Sequence, residues 1–299
     1  HLKLKLMKKL ILLLAMAIIC LHVSAQEEPG KTKDNKDTIR VGGIIIVKKG
    51  KNNKDGDVSV KIGGGNGRRK NKKVSTNWWI LDLGFANYND KSNYVSANTS
   101  GYLKSRPGYP DLDKNDFKLK AGKSINVNIW VFMQRVSLIK NYVNLKYGFG
   151  VELNNYRYKS AISYREDGLV PYTAGTQTNA AFIIRDSISF TKNKLAADYA
   201  TVPVMLNFVS NPDQRKKGVS LSLGVSAGYL YSQRNKQKSS ERGKLKNKGD
   251  YDLERFKFSY VAELGLGPVL LYGSYSPKSM YEKSLDIRPY NVGFRFSYW

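Results

Sequence analysis

From residue 142 to 156 apolar and polar side chains alternate: Val143, Leu145, Tyr147, Phe149, Val151 and Leu153 take one parity, and Asn144, Lys146, Gly148, Gly150, Glu152 and Asn154 the other. Alternation sustained in this way has the period of a strand whose two faces meet different solvents. The pattern returns at 219–231, where Val219, Leu221, Leu223, Val225, Ala227, Tyr229 and Tyr231 oppose Ser220, Ser222, Gly224, Ser226 and Gly228. It returns again where Tyr290, Val292, Phe294, Phe296 and Tyr298 oppose Asn291, Gly293, Arg295 and Ser297. Eight such segments are predicted, at 77–88, 124–138, 142–156, 194–209, 219–233, 256–267, 269–277 and 290–299. Each reaches or exceeds the roughly 9 to 11 residues that a tilted strand needs to cross a bilayer.

The connectors between these segments alternate in length. Those at 89–123, 157–193, 234–255 and 278–289 are long, whereas 139–141, 210–218 and Pro268 are short. Short turns at one end and long loops at the other mark an up-and-down membrane barrel, and an even strand number leaves both termini on the periplasmic, turn side of an outer membrane. The expected fold is all-β, an eight-stranded antiparallel up-and-down transmembrane β-barrel with a polar N-terminal extension. At this strand number side chains fill the interior. The inward parity supplies Asp82, Asn126, Asn128, Gln134, Asn144, Lys146, Glu152, Asn154, Lys257, Glu263 and Arg295. Both charge signs occur among them, so a plugged lumen is expected. Aromatic residues near the strand ends are expected to anchor the barrel at the two membrane interfaces: Trp79, Tyr88, Tyr142, Tyr156, Tyr229, Tyr231, Phe256, Phe258, Tyr298 and Trp299. Pro203 cannot donate to a ladder, which predicts a bulge or kink in its strand.

Upstream, Lys8 and Lys9 precede an apolar run from Leu10 to Ile19, and Val23-Ser24-Ala25 stands before Gln26. This order of charge, apolar run and small residues predicts a secretory signal peptide over 1–25. His1, His22 and Cys20 all fall within it, so the processed chain has neither His nor Cys. That excludes disulfides, imidazole or thiolate nucleophiles and metal sites built on those ligands. No cofactor, metal or catalytic residue is expected. Glu152 and Glu263 are the one carboxylate pair on which an envelope enzyme could be built, but ion pairing within the lumen accounts for both, and the chain is read as not an enzyme.

Charge narrows the partners. Without the signal peptide 46 basic residues stand against 24 acidic ones. These bases are scattered through the polar segments between strands, away from the aromatics, so nucleic acid is not the expected partner; outer-membrane lipid and lipopolysaccharide phosphates are. Residues 26–76 carry 14 basic and 6 acidic side chains and few apolar ones, and read as a basic low-complexity periplasmic linker with at most one short hairpin. The barrel domain is then 77–299. The loop 234–255 holds eight bases and four acids, and its Arg234, Lys236, Lys238, Arg242, Lys244, Lys246 and Lys248 are candidates for an anionic ligand. The function classes left open are a structural or interaction barrel and a narrow small-solute channel.

Three runs carry a family likeness: Asn77-Trp78-Trp79-Ile80-Leu81-Asp82-Leu83-Gly84-Phe85, Val127-Asn128-Ile129-Trp130-Val131-Phe132-Met133-Gln134-Arg135 and Tyr199-Ala200-Thr201-Val202-Pro203-Val204-Met205-Leu206-Asn207-Phe208. With the Ser-Ala-Gln end of the signal, they resemble the PorT-like outer-membrane barrel family of Bacteroidota. The resemblance spans about 77–299. It implies an eight-stranded barrel and a link to secretion or envelope assembly, with a protein partner in the envelope, and it carries over no catalytic residue. Asp37-Thr38-Ile39 and Asp186-Ser187-Ile188 are similar to the short O-glycan acceptor pattern of these bacteria.

Overall fold

A sheet in hydrocarbon must pair its N–H and C=O groups internally, and only a sheet without an edge does so. The computed structural model describes residues 38–41, 44–48, 58–62, 73–214 and 217–297, and eight of its strands meet that condition. The segment 1–25, Asp37, Tyr298 and Trp299 lie outside the described residues. The chain divides into two units, His1–Gly63 and Gly64–Trp299. In the first, β1 (Thr38–Val41), β2 (Ile44–Lys48) and β3 (Val58–Ile62) form a small antiparallel sheet, one strand more than the single hairpin expected. The added strand follows the alternation of Val58, Val60 and Ile62 with Ser59 and Lys61.

The second unit runs β4 (Val74–Asp90), β5 (Leu103–Lys104), β6 (Ile125–Ile139), β7 (Val143–Arg157), β8 (Ile162–Arg165), β9 (Gly168–Leu169), β10 (Gln177–Thr178), β11 (Phe182–Arg185), β12 (Lys192–Val209), β13 (Val219–Ser239), β14 (Gly243–Lys248), β15 (Phe256–Leu266), β16 (Val269–Tyr275) and β17 (Ile287–Phe296). Strands β4, β6, β7, β12, β13, β15, β16 and β17 each pair antiparallel with the next, and β17 pairs with β4. The result is the closed eight-stranded meander that the alternation predicts. Its outward face is apolar, with Leu83, Phe85, Val204, Leu206, Leu223, Val225, Val292 and Phe294 exposed, while Asp82, Asn126, Asn144 and Arg295 are buried. A barrel surrounded by lipid needs this inversion of the usual soluble arrangement.

Turn chemistry fixes the short ends. Lys140 and Asn141 both have positive φ, and Tyr142 N–H donates to the Ile139 carbonyl at 2.8 Å, so β6 and β7 join through a two-residue turn matched to the twist of the strands. The four long connectors do not hang free. β8 and β5 flank β11, antiparallel and parallel respectively; β9 pairs with β10; a six-residue helix spans Tyr94–Thr99; and β14 folds back on the upper half of β13. This layer caps the loop end of the barrel.

Two expectations about the wall are corrected. Trp79 adopts φ 55°, and the ladder between β6 and β7 shifts by one residue between Trp130 and Phe132. Such a slip moves every later side chain to the opposite face. Met133 and Arg135 therefore turn inward, and Gln134 does not: it lies outside, accepting from Tyr147 Oη and donating to Thr76 Oγ1 at 3.0 Å. At Pro203 the ladder with β7 lapses over Val202 and Pro203 but resumes in the same register, so no bulge forms there; the irregularity in β12–β13 lies at Asp198/Tyr199.

Inside, glycines make room for long side chains. Tyr272, Gly293, Gly84 and Asn126 face one another across four consecutive strands, and the Tyr272 ring crosses both glycines to donate its hydroxyl to Asn126 Oδ1. A Cβ on Gly293 would collide with the Leu83 carbonyl oxygen and Gly84 Cα, backbone atoms that cannot swing aside. Gly293→Val should therefore open the β4–β17 seam, abolishing the fast-migrating folded band of the unheated protein in SDS gels. Gly273→Ala, whose Cβ meets only Asn291 O at 3.6 Å, should keep that band.

Candidate functional site

Two ion clusters, each summing to zero, cross the lumen. Arg295 donates to Asp82 through Nε and Nη2, each at 2.7 Å, and through Nη1 to Glu263, which also holds Lys146. Asp82 further accepts from Trp130 Nε1 at 2.7 Å and Asn128 Nδ2 at 3.1 Å. In the second cluster Lys257 pairs with Glu152, which accepts from Asn154 and Asn291 as well. Asn144 joins Asn207, which donates to Ser222 Oγ. Every residue predicted for the lumen network, Asp82, Asn144, Lys146, Glu152, Lys257, Glu263 and Arg295, is thus buried and engaged. Beside them the alternation pattern missed an apolar plug of Ile80, Trp130, Met133 and Met205, because the bulges swing Met133 inward. At the turn end a cavity of about 40 Å³, lined by Arg135, Lys146, Asn207, Ser222 and Glu263 among others, holds no more than a few waters.

Above the ion clusters, tyrosines from the long connectors close the mouth. Tyr158 Oη and Tyr164 Oη are 2.6 Å apart, Tyr164 Oη and Tyr281 Oη 2.7 Å, and Tyr102 Oη donates to the Tyr251 carbonyl at 2.8 Å. Burial pushes the hydroxyls of Tyr102, Tyr158, Tyr164 and Tyr281 above the ordinary phenol range, so they stay neutral. Tyr156, expected at a membrane interface, belongs to this buried core, and Tyr88 is tied to it through a hydrogen bond from its hydroxyl to the Phe117 carbonyl. Both stand on the inward parity of their strands. Trp79, Tyr142, Tyr229, Tyr231, Phe256 and Phe258 do face outward and are exposed.

The candidate anionic-ligand residues form strands instead of a loop. Register pairs Arg234 with Lys248, Lys236 with Lys246 and Lys238 with Lys244. The β13 irregularity opposite Asp198/Tyr199 decides their direction: beyond it Asn235, Gln237 and Ser239 turn inward and are buried, and the even-numbered bases face out. Arg234 is held by Asp198, and Arg242, at the hairpin turn, donates to Asp186 at 3.0 Å. The five lysines make no ion pair among the described residues. Three bases the sequence reading missed join the same wall through register: Lys192 opposite Lys238, and Lys194 between Lys236 and Arg157. Their signal was the i, i+2 spacing of Lys192 and Lys194 at the start of a strand.

Removing one partner from a buried ion cluster leaves its neighbour uncompensated, at a cost of roughly 3 to 5 kcal/mol. Asp82→Asn should destabilise the barrel by about that much in urea titrations from detergent or bilayers. The double variant Asp82→Asn/Arg295→Met should recover part of the loss, giving a favourable coupling in a double-mutant cycle.

No family model and no curated protein matches the chain. Among solved structures, Ail, the attachment invasion locus protein of Yersinia pestis, in complex with the heparin analogue sucrose octasulfate, aligns over 75% of this chain and 97% of that chain, at 13% identity and a TM-score of 0.28. A second crystal structure of Ail aligns over the same shares at 14% identity and a TM-score of 0.24. The architecture described above rests on the closed hydrogen-bond ring and not on these likenesses.

Proposed function

We propose that this chain is a structural and interaction protein of a Gram-negative outer membrane, neither an enzyme nor a channel, with its turn end and both termini in the periplasm and its cap outside. One observation carries the reading: an apolar outward belt surrounds a lumen filled by neutral ion clusters and closed at the loop end by a folded, tyrosine-rich layer. A barrel filled in this way offers its surfaces and not its interior. Glu152 and Glu263 lie in separate ion clusters, each beside a lysine, and this supports a structural role for both. Lipid and lipopolysaccharide are the immediate partners. The resemblance to PorT-like barrels supports an additional protein partner in secretion or envelope assembly and a source in Bacteroidota.

The processed chain's lack of cysteine makes orientation easy to test. Val95→Cys, in the exposed face of the cap helix, should react with an impermeant maleimide in intact cells. Gln214→Cys, in the turn between β12 and β13, should react only after the outer membrane is permeabilised; the reverse labelling would overturn the orientation. Purified protein inserted into planar bilayers should give no conductance steps, and sustained conductance from the unaltered chain would instead establish the channel reading.

A further inference from the structure

Register arranges the outward bases of β7, β12, β13 and β14 in rows across the wall. The middle row runs Arg157, Lys194, Lys236, Lys246; the row above it, Lys192, Lys238, Lys244; the row below carries Arg234 and Lys248. Adjacent strands lie about 4.8 Å apart, so the basic side chains of one row leave the sheet side by side. Like charges directly opposite each other destabilise a sheet, and this sheet places several such pairs side by side. The outward parity of these four strands includes one acid, Asp198, and Arg234 holds it. Lys194 and Lys236 are half-buried on paired strands, and Lys194 Nζ donates to Asn155 Oδ1, so their stems are held at neighbouring positions on the wall.

Position identifies what neutralises them. The wall continues the outward face of the lipid belt, and its lowest base, Arg234, lies three residues beyond exposed Tyr231, close above Tyr229 and Phe256, whose ring centroids are 5.3 Å apart. Aromatic side chains of this kind mark the membrane–water interface, so the bases begin at headgroup depth. Arg234 to Lys238 spans about 13 Å along the strand at 3.3 Å per residue. A simple phospholipid carries its phosphate at one height and would meet only the lowest row, whereas a phosphorylated saccharide headgroup presents anions at several heights. Lysine suits such a ligand as a point charge that accepts phosphate from many directions. We infer that the outward β7–β12–β13–β14 wall binds the phosphorylated sugar headgroup of a glycolipid anchored in the surrounding outer leaflet. The inference rests on the outer-membrane reading above and adds to it a defined lateral site.

The test uses the full processed protein in nanodiscs, with purified bisphosphorylated lipopolysaccharide as probe. Retention and thermal stabilisation by lipopolysaccharide are measured for the unaltered chain, for Lys194→Gln/Lys236→Gln/Lys246→Gln, and for the single exposed variant Lys246→Gln in case the triple folds poorly. The triple should bind at least about tenfold more weakly, a loss of about 1.4 kcal/mol. Its unfolding temperature without lipopolysaccharide should be unchanged or higher, because repulsion is relieved; a merely structural role would lower it. The single variant should show a smaller loss in the same direction. Lys91→Gln/Lys114→Gln/Lys283→Gln, elsewhere at the loop end, should bind normally. Unchanged binding by the triple and single variants would overturn the site. Equal binding of enzymatically dephosphorylated lipopolysaccharide would overturn the ligand class, and displacement by equimolar inorganic pyrophosphate would replace the anchored glycolipid with a soluble anion. In each of these cases a heat-modifiable band and normal insertion would leave the outer-membrane reading standing, whereas a protein soluble without detergent would sink both.

Discussion

The need to satisfy every backbone polar group in a medium that offers no hydrogen bonds organises the whole barrel. It requires closure, and closure joins β4 to β17, the first and last strands of the ring. Once the ring shuts, alternation along each strand has only one solution: apolar side chains toward lipid, polar ones toward the axis. Eight strands make that axis narrow, so the interior must be packed like a core although its residues are hydrophilic.

That packing is achieved by charge matching and by unequal side-chain size. Asp82, Glu263, Arg295 and Lys146 sum to zero, as do Glu152 and Lys257, so within each cluster every charge meets its opposite. Such clusters add little net stability compared with an apolar filling, yet a broken cluster is expensive, which makes the arrangement specific. Glycines opposite long side chains complete the fit. Trp130 lies against Gly150, Met133 against Gly148, and Met205 against Gly224, each a pair across neighbouring strands.

At the loop end the same wall changes purpose. β12 and β13 continue beyond the aromatic residues, and the one-residue irregularity between them turns the amides of β13 inward and its lysines outward. The amides then bond the cap: Gln237 Nε2 donates to Ser163 Oγ at 2.7 Å, and Asn235 accepts from Tyr164 N–H at 3.4 Å. A single slip of register therefore builds both the inner seam of the cap and the basic face outside.

The sequence alone determined the fold class, the eight strands, the long-short rhythm of their connectors and most of the lumen network, because a period of two and the length of a strand are local properties that lipid and closure convert directly into structure. Three features needed the tertiary structure. Gln134 and Met133 exchanged faces because a bulge near Trp130 breaks the parity, and nothing local distinguishes that segment from a regular strand. The long connectors proved to be a folded cap, because the burial of Tyr102, Tyr158, Tyr164 and Tyr281 depends on contacts between segments far apart in the chain. Arg157, Lys194, Lys236 and Lys246 became one row only through register, since neighbours across a sheet are set by pairing and not by sequence distance.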